Sequence, residues 1–271
     1  MLFSCSRNSP VSHVGSLDYT ACMKSASPDG NIQWIGHRGS PLHYPENSIE
    51  GFRAVLESGG RSVETDIQLS ADGIPFLCHD VELLRLSGIE ANLFDLDSET
   101  VRHLPAACRE RFGKRFENLR LSPLASLVRL LQDYPDATAF IEIKEESAAH
   151  YGVAAVTETV LAVMNKVAHQ CVYLSFAPEV VQHLASVGEV ATGWVIPEWN
   201  DQNREIAETL DPQWLFCNRK RLPIANRDVW QGDWNWVLYT INEMETGEKL
   251  GKRGFRYLET DRILDILHGQ A

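Results

Sequence analysis

Several features that a chain of this length often carries are missing. No stretch approaches the ~18 consecutive apolar residues that cross a bilayer, so no stable membrane insertion is expected. The six cysteines (Cys5, Cys22, Cys78, Cys108, Cys171 and Cys217) show no CxxC spacing, and at this density a disulfide framework is not expected. Cys78, Cys171 and Cys217 fall in apolar, strand-like runs, where a reduced thiol acts as a small hydrophobe. Basic runs are absent too. The densest, residues 109–120 and 219–221, are interleaved with acids or very short, and the formal net charge is −12. So acidic a surface repels nucleic-acid backbones, and no nucleic-acid partner is expected. The first residues lack the basic start and apolar stretch of a signal peptide, which leaves a cytoplasmic protein as the simplest expectation.

What is present is a core and a rhythm. A hydrophobic fraction of 44% is enough to build a sizeable interior, and 271 residues suit one large domain better than two. Residues 1–30, rich in Ser, Gly, Asn and Pro, read as a flexible extension, with Met23 a candidate natural start. The remainder, 31–271, reads as one domain. Short apolar runs at 33–36, 62–67, 139–143, 172–175, 192–196, 214–217, 236–240 and 256–259 are candidate strands. Between most of them lie amphipathic segments at helical spacing, at 48–57, 124–132, 154–168, 178–187 and 203–210. Repeated strand–helix alternation argues for a parallel sheet, and eight strands close a (β/α)₈ barrel. A doubly wound open sheet would fit the alternation too, but no GxGxxG follows the first strand. Asp72-Gly73 between two strand-like runs signals a β-hairpin. Residues 88–119 fit no barrel element and are expected to form a small insertion over one end.

Chemistry-bearing residues fall at strand ends. Glu64 and Asp66 stand two apart on a strand and so share a face, where two confined anions repel unless a cation lies between them. Taken alone, the pair fits a solvent-facing edge about as well. Glu142 adds a third carboxylate on an otherwise apolar strand, and three hard oxygen ligands suit Mg²⁺ or Ca²⁺ better than zinc. His37 follows the first strand and His79 ends the returning hairpin arm, both where barrel enzymes place catalytic groups. Two imidazoles can serve as general acid and general base. Arg38 offers a planar fork for a phosphate oxygen, while Lys144 shares a face with Glu142 as counter-ion or phosphate ligand.

Read in order, His37-Arg38-Gly39, Pro45-Glu46-Asn47-Ser48, Glu64-Thr65-Asp66, Asp72-Gly73 and His79-Asp80 resemble the marks of the glycerophosphodiester phosphodiesterase family. Glu142-Ile143-Lys144, Ser175-Phe176, Thr240-Ile241-Asn242 and Thr260-Asp261 resemble its later marks. The resemblance implies a (β/α)₈ barrel with an insertion after the hairpin. It implies a divalent cation, Mg²⁺ or Ca²⁺, on Glu64, Asp66 and Glu142, with His37 and His79 as acid and base and Arg38 and Lys144 steadying the phosphate. The expected partner is a small-molecule phosphodiester, cut to glycerol 3-phosphate and an alcohol by a monomer or small homo-oligomer. Three other readings stand beside it. One is a lysophospholipase D whose apolar entrance is built from Trp194, Trp199, Trp230, Trp234 and Trp236. The others are a metal-dependent lyase or isomerase, and a non-catalytic phosphodiester-binding barrel.

Overall fold

Strands that are apolar on both faces need cover on both, and the chain provides it by closing a ring. The computed structural model describes residues 32–270; the expected extension at 1–30 and the candidate start at Met23 lie outside them. Nine strands form: β1 Gln33–Gly36, β2 Ser62–Leu69, β3 Pro75–Leu77, β4 Thr138–Ile143, β5 Cys171–Ser175, β6 Ala191–Ile196, β7 Trp214–Asn218, β8 Asn235–Tyr239 and β9 Tyr257–Thr260. Eight of them pair in parallel in the order β1-β2-β4-β5-β6-β7-β8-β9, and β9 returns to β1. This is the closed (β/α)₈ barrel. The ninth strand, β3, runs antiparallel along β2, pairing Ile67 with Leu77 and Leu69 with Pro75. Gly73 closes that hairpin at φ +76°, a conformation other residues adopt only with strain.

Side-chain parity divides the strands. Ile35, Phe140, Val172, Leu174, Val195, Trp214, Phe216 and Val237 pack together in the barrel interior. Alternate residues such as Val63, Ile67, Ile141, Ile143 and Tyr173 pack against the helices. Among the crossover helices, α1 Ile49–Glu57 starts on Ser48, whose Oγ accepts from the Gly51 N–H at 3.1 Å, and buries Phe52, Val55 and Leu56. Three short helices, α2 Leu84–Ser87, α3 Ser98–Val101 and α4 Arg109–Phe112, follow the hairpin around a cluster that includes Phe76, Leu83, Leu86, Leu93 and Val101. Asp72 ties α3 to the hairpin by accepting from the Ser98 N–H at 2.8 Å.

The other helices are α5 Ala125–Asp133, α6 Glu145–Tyr151, α7 Val153–Met164, α8 Pro178–Val187, α9 Asp201–Leu210, α10 Met244–Lys252 and α11 Ile263–Leu267. Three of these have no counterpart in the amphipathic pattern. Helix α10 hides because Gly247 and Gly251 occupy apolar-face positions; a Cβ on Gly247 would come 2.6 Å from the Trp34 ring. Helix α6 buries only Ser147 and Ala148 and shows no apolar stripe, while α11 is one short turn and a half. The expected helix at 154–168 ends early, its last part becoming the 3₁₀ segment Asn165–Gln170.

The interior aromatics carry a large share of the packing. Phe140 meets Trp214 edge to face, with ring centroids 5.1 Å apart at 80°. Phe140→Ala should therefore cost about 3–5 kcal/mol of stability by urea unfolding. A loss below ~1 kcal/mol would show that the lower barrel collapses readily around the gap.

Candidate active site

Register delivers the acidic residues to one place. Glu64 pairs with Phe140, an interior residue, so it points inward, and Asp66 and Glu142 pair with each other one step higher. Glu64 is 3% and Asp66 1% exposed, which removes the solvent-facing alternative. One oxygen from each of Glu64, Asp66 and Glu142 lies within 4.8 Å of the others, a spread that a single hard cation with bonds of about 2–2.5 Å can bridge. Burial pushes Glu64 well above the usual carboxylate range, and the Asp66 charge pushes it further. Glu142 is raised by the same two causes. Asp66 moves the other way, to about 2: burial disfavours its charge, but Arg38 and Lys144 outweigh burial. An acidic trio held this tightly fits a divalent metal.

The backbone around the trio is held by an asparagine. Asn47 adopts φ +55°, which Asn tolerates better than most residues. Its Oδ1 accepts from Thr65 Oγ1 at 2.8 Å and from the Asp66 N–H at 3.2 Å, and its Nδ2 donates to Asp66 Oδ2 at 3.0 Å. A second asparagine repeats the arrangement across the mouth. Asn242 Oδ1 accepts from Thr260 Oγ1 at 3.1 Å and from the Asp261 N–H at 3.0 Å, and Nδ2 donates to Asp261 Oδ2 at 3.1 Å. Two Thr-Asp pairs, one within β2 and one at the end of β9, are thus gripped alike.

The basic residues and histidines complete the mouth. The Arg38 backbone N–H donates to Glu64 Oε2 at 2.9 Å. Its Nε lies 3.0 Å from Asp66 Oδ2, but the N–H direction misses hydrogen-bond geometry, and this buried nitrogen has no acceptor. Lys144 Nζ sits 2.9 Å from Glu142 Oε1 and 3.7 Å from Asp66 Oδ1. His37 Nδ1 meets Asp261 Oδ1 at 2.8 Å, and His79 Nδ1 meets Asp80 Oδ1 at 2.5 Å. Each imidazole has one nitrogen fixed by a carboxylate. Arg85 joins Asp80, at 2.7 Å, to Glu46, at 2.6 Å, and so ties the hairpin arm to the first loop. Burial would lower the His37 pKa, but the Asp261 hydrogen bond and the Glu64 and Glu259 charges raise it to about 9.

His37, Arg38, Glu64, His79, Glu142 and Lys144 line one cavity of about 120 Å³. Asp66 lies beneath it, 1% exposed, so all seven residues singled out from the sequence meet in one place. Leu174, Phe176, Val195, Phe216 and Tyr239 form the apolar wall, and none of the tryptophans reaches it. Trp199, Trp230 and Trp236 stack on one another elsewhere, with centroids of Trp199 and Trp230 4.4 Å apart. The sequence reading gave no role to Asn47, Asn242, Asp80 or Asp261, and it missed Glu259, which also lines the cavity. The signal for Glu259 was weak: only Tyr257 and Leu258 precede it in the strand, and Asp261 stands two residues on.

Comparison with known proteins gives a consistent picture. The family model described as "Glycerophosphoryl diester phosphodiesterase family" matches residues 37–264. The chain is 27% identical over 179 residues to glycerophosphodiester phosphodiesterase 1 of Bos taurus, covering 66% of this chain and 53% of that one. It is 32% identical over 119 residues to a glycerophosphodiester phosphodiesterase of Caldanaerobacter subterraneus, covering 44% and 48%. It thus spans about half the length of the curated relatives it matches. Among solved structures it is similar to an Oleispira antarctica phosphodiesterase in complex with the product sn-glycerol-3-phosphate, with a TM-score of 0.78 at 21% identity over 88% of this chain and 96% of that chain. It is also similar to a Thermotoga maritima glycerophosphodiester phosphodiesterase, with a TM-score of 0.70 at 23% identity over 88% and 98%. At these identities the structures show a common fold.

The His37–Asp261 contact gives a direct test. A histidine whose pKa is raised in the folded chain stabilises it fully below the unfolded value near 6.5, and that stabilisation is lost as pH rises through about 9. In metal-free protein, NMR titration should place the His37 midpoint near 9, and Asp261→Asn should bring it down towards 6.5. A wild-type midpoint at or below 6.5 would show that burial outweighs the carboxylate.

Proposed function

Because the chain belongs to the glycerophosphoryl diester phosphodiesterase family, we propose that it hydrolyses a glycerophosphodiester to glycerol 3-phosphate and an alcohol. One observation carries this reading: two carboxylate-held imidazoles, His37 and His79, line the same small cavity as the convergent acidic trio. The product named with the Oleispira antarctica neighbour supports the choice of glycerol 3-phosphate.

Glu64, Asp66 and Glu142 would hold the divalent cation, Mg²⁺ or Ca²⁺. When bound, such an ion supplies Lewis-acid stabilisation of charge growing on the phosphoryl oxygens. Arg38, which lines the cavity, offers its guanidinium to a non-bridging oxygen, and Lys144 adds a second positive charge beside Glu142. One histidine takes the proton from the nucleophile and the other returns one to the leaving alkoxide. Asp261 and Asp80 orient the two rings, so that the second nitrogen of each is left for the reacting groups. The nucleophile is water or the glycerol hydroxyl next to the ester, and the same two histidines serve either. The tryptophans that would build an apolar entrance for a lysolipid lie away from this cavity, which favours the deacylated diester.

The experiment is release of glycerol 3-phosphate from glycerophosphocholine and glycerophosphoethanolamine, with Mg²⁺, with Ca²⁺ and with EDTA. Release should need the cation, and His37→Ala should lower kcat by about 10²–10⁴-fold. Release that persists in EDTA would remove the metal from the reading. No release with either cation would move the assignment to another diester or to a binding role.

A further inference from the structure

One polar group in the cavity is left without a use by the proposed reaction. Glu259 points inward from β9, where it pairs with the interior residue Ile35 of β1. It is 3% exposed and lines the cavity beside His37 and Tyr239, yet its Oε1 has no hydrogen-bond partner. Buried polar atoms are seldom left unpaired, so an orphan on a residue that lines a ligand cavity points to a ligand atom. It does not belong to the trio whose oxygens converge within 4.8 Å. Among the described residues no cation hydrogen-bonds it: Lys144 is taken up by Glu142 and Asp66, the Arg38 guanidinium faces Asp66 and Glu46, and His37, whose charge acts on Glu259, gives its Nδ1 to Asp261.

The chemistry of the missing partner follows from what a carboxyl group can do. An ionised carboxylate only accepts, a protonated one also donates, and a hydroxyl satisfies either state because it does both. A phosphate oxygen would be repelled by the ionised form, which keeps the phosphate with Arg38 and Lys144. A quaternary ammonium has no N–H to give. With the phosphate on the Arg38 and Lys144 side, the candidate for Glu259 is the glycerol hydroxyl farthest from phosphorus.

We infer that Glu259 is a specificity-determining residue that hydrogen-bonds the terminal hydroxyl of the glycerol moiety. The inference rests on the hydrolase reading above. It gives this cavity a reason to prefer deacylated diesters, since an acyl chain on that terminal oxygen removes the donor and leaves the buried carboxyl unpaired.

The test compares glycerophosphocholine with the diester in which 1,2-propanediol replaces glycerol, so that only the terminal hydroxyl is lost and the one next to the ester stays. Wild-type kcat/KM should favour the glycerol diester by roughly 10- to 100-fold. In Glu259→Met that preference should collapse to within about 3-fold, while Glu259→Gln, which can still accept and donate, should keep most of it. Equal turnover of the two diesters by the wild-type protein would overturn the inference without any variant. So would a loss in Glu259→Met that is proportional on both diesters, or one that is larger for glycerophosphoethanolamine than for glycerophosphocholine, which would point to ammonium recognition. Calorimetric titration of the wild-type protein and Glu259→Met with glycerol 3-phosphate and with 1,2-propanediol 1-phosphate reads the same preference without turnover. Loss of preference there would confirm the residue's role, and an unchanged ratio would reject it. Absence of turnover with every diester fells the hydrolase reading, whereas the binding ratio still decides on Glu259.

Discussion

Like charges crowded out of water repel, and the barrel mouth is organised around that repulsion. Two carboxylates 4.8 Å apart cost about 3–4 kcal/mol at the effective dielectric of a protein site, and here three converge. Arg38 and Lys144 offset part of the cost: both lie near Asp66, whose pKa they hold down, and Lys144 also pairs with Glu142. A divalent cation would relieve the rest. Groups that balance the trio in its absence are also groups suited to a phosphate once the cation takes their place.

Holding such a cluster requires stiffness. Asn47 and Asn242 provide it in the same manner, each accepting from a threonine hydroxyl and the next backbone N–H while donating to the following aspartate. One grip fixes a member of the acidic trio, and the other fixes the aspartate that orients His37. Both are neutral amides, so they add rigidity without adding charge to a site already loaded with it. Arg85 does the corresponding work for His79, through Asp80 and Glu46.

Much of this was legible in the amino-acid order. The barrel strands announce themselves because residues such as Phe140, Ile141 and Ile143 are apolar on both faces, and the acidic interruptions at Glu64, Asp66 and Glu142 stand out against that background. The grips were not legible, since Asn47 and Asn242 act on residues 18 or 19 positions away, and each pair meets only when the helix between them folds back along the next strand. Helix α10 was obscured for a different reason: Gly247 makes room for the Trp34 ring, and a residue chosen for its smallness leaves no hydrophobic trace. Glu259 leaves a fainter mark, since its strand is only four residues long and Asp261 places a second carboxylate two positions on.

The hairpin that carries His79 also carries the insertion, and the insertion is packed on its own account. Leu83, Leu86, Leu93 and Val101 bury one another against Phe76, apart from the interior that Phe140 and Trp214 fill. Inheritance can therefore treat the two as separate modules. Such a module can change in length or surface with the barrel strands left in place, so long as Arg85 keeps its hold on Glu46 and Asp80 and the rings of Phe116 and Phe94 keep theirs on Tyr44 and Tyr151. Variety above the mouth would then arise by editing an appendage while the residues that line the cavity stay where they are.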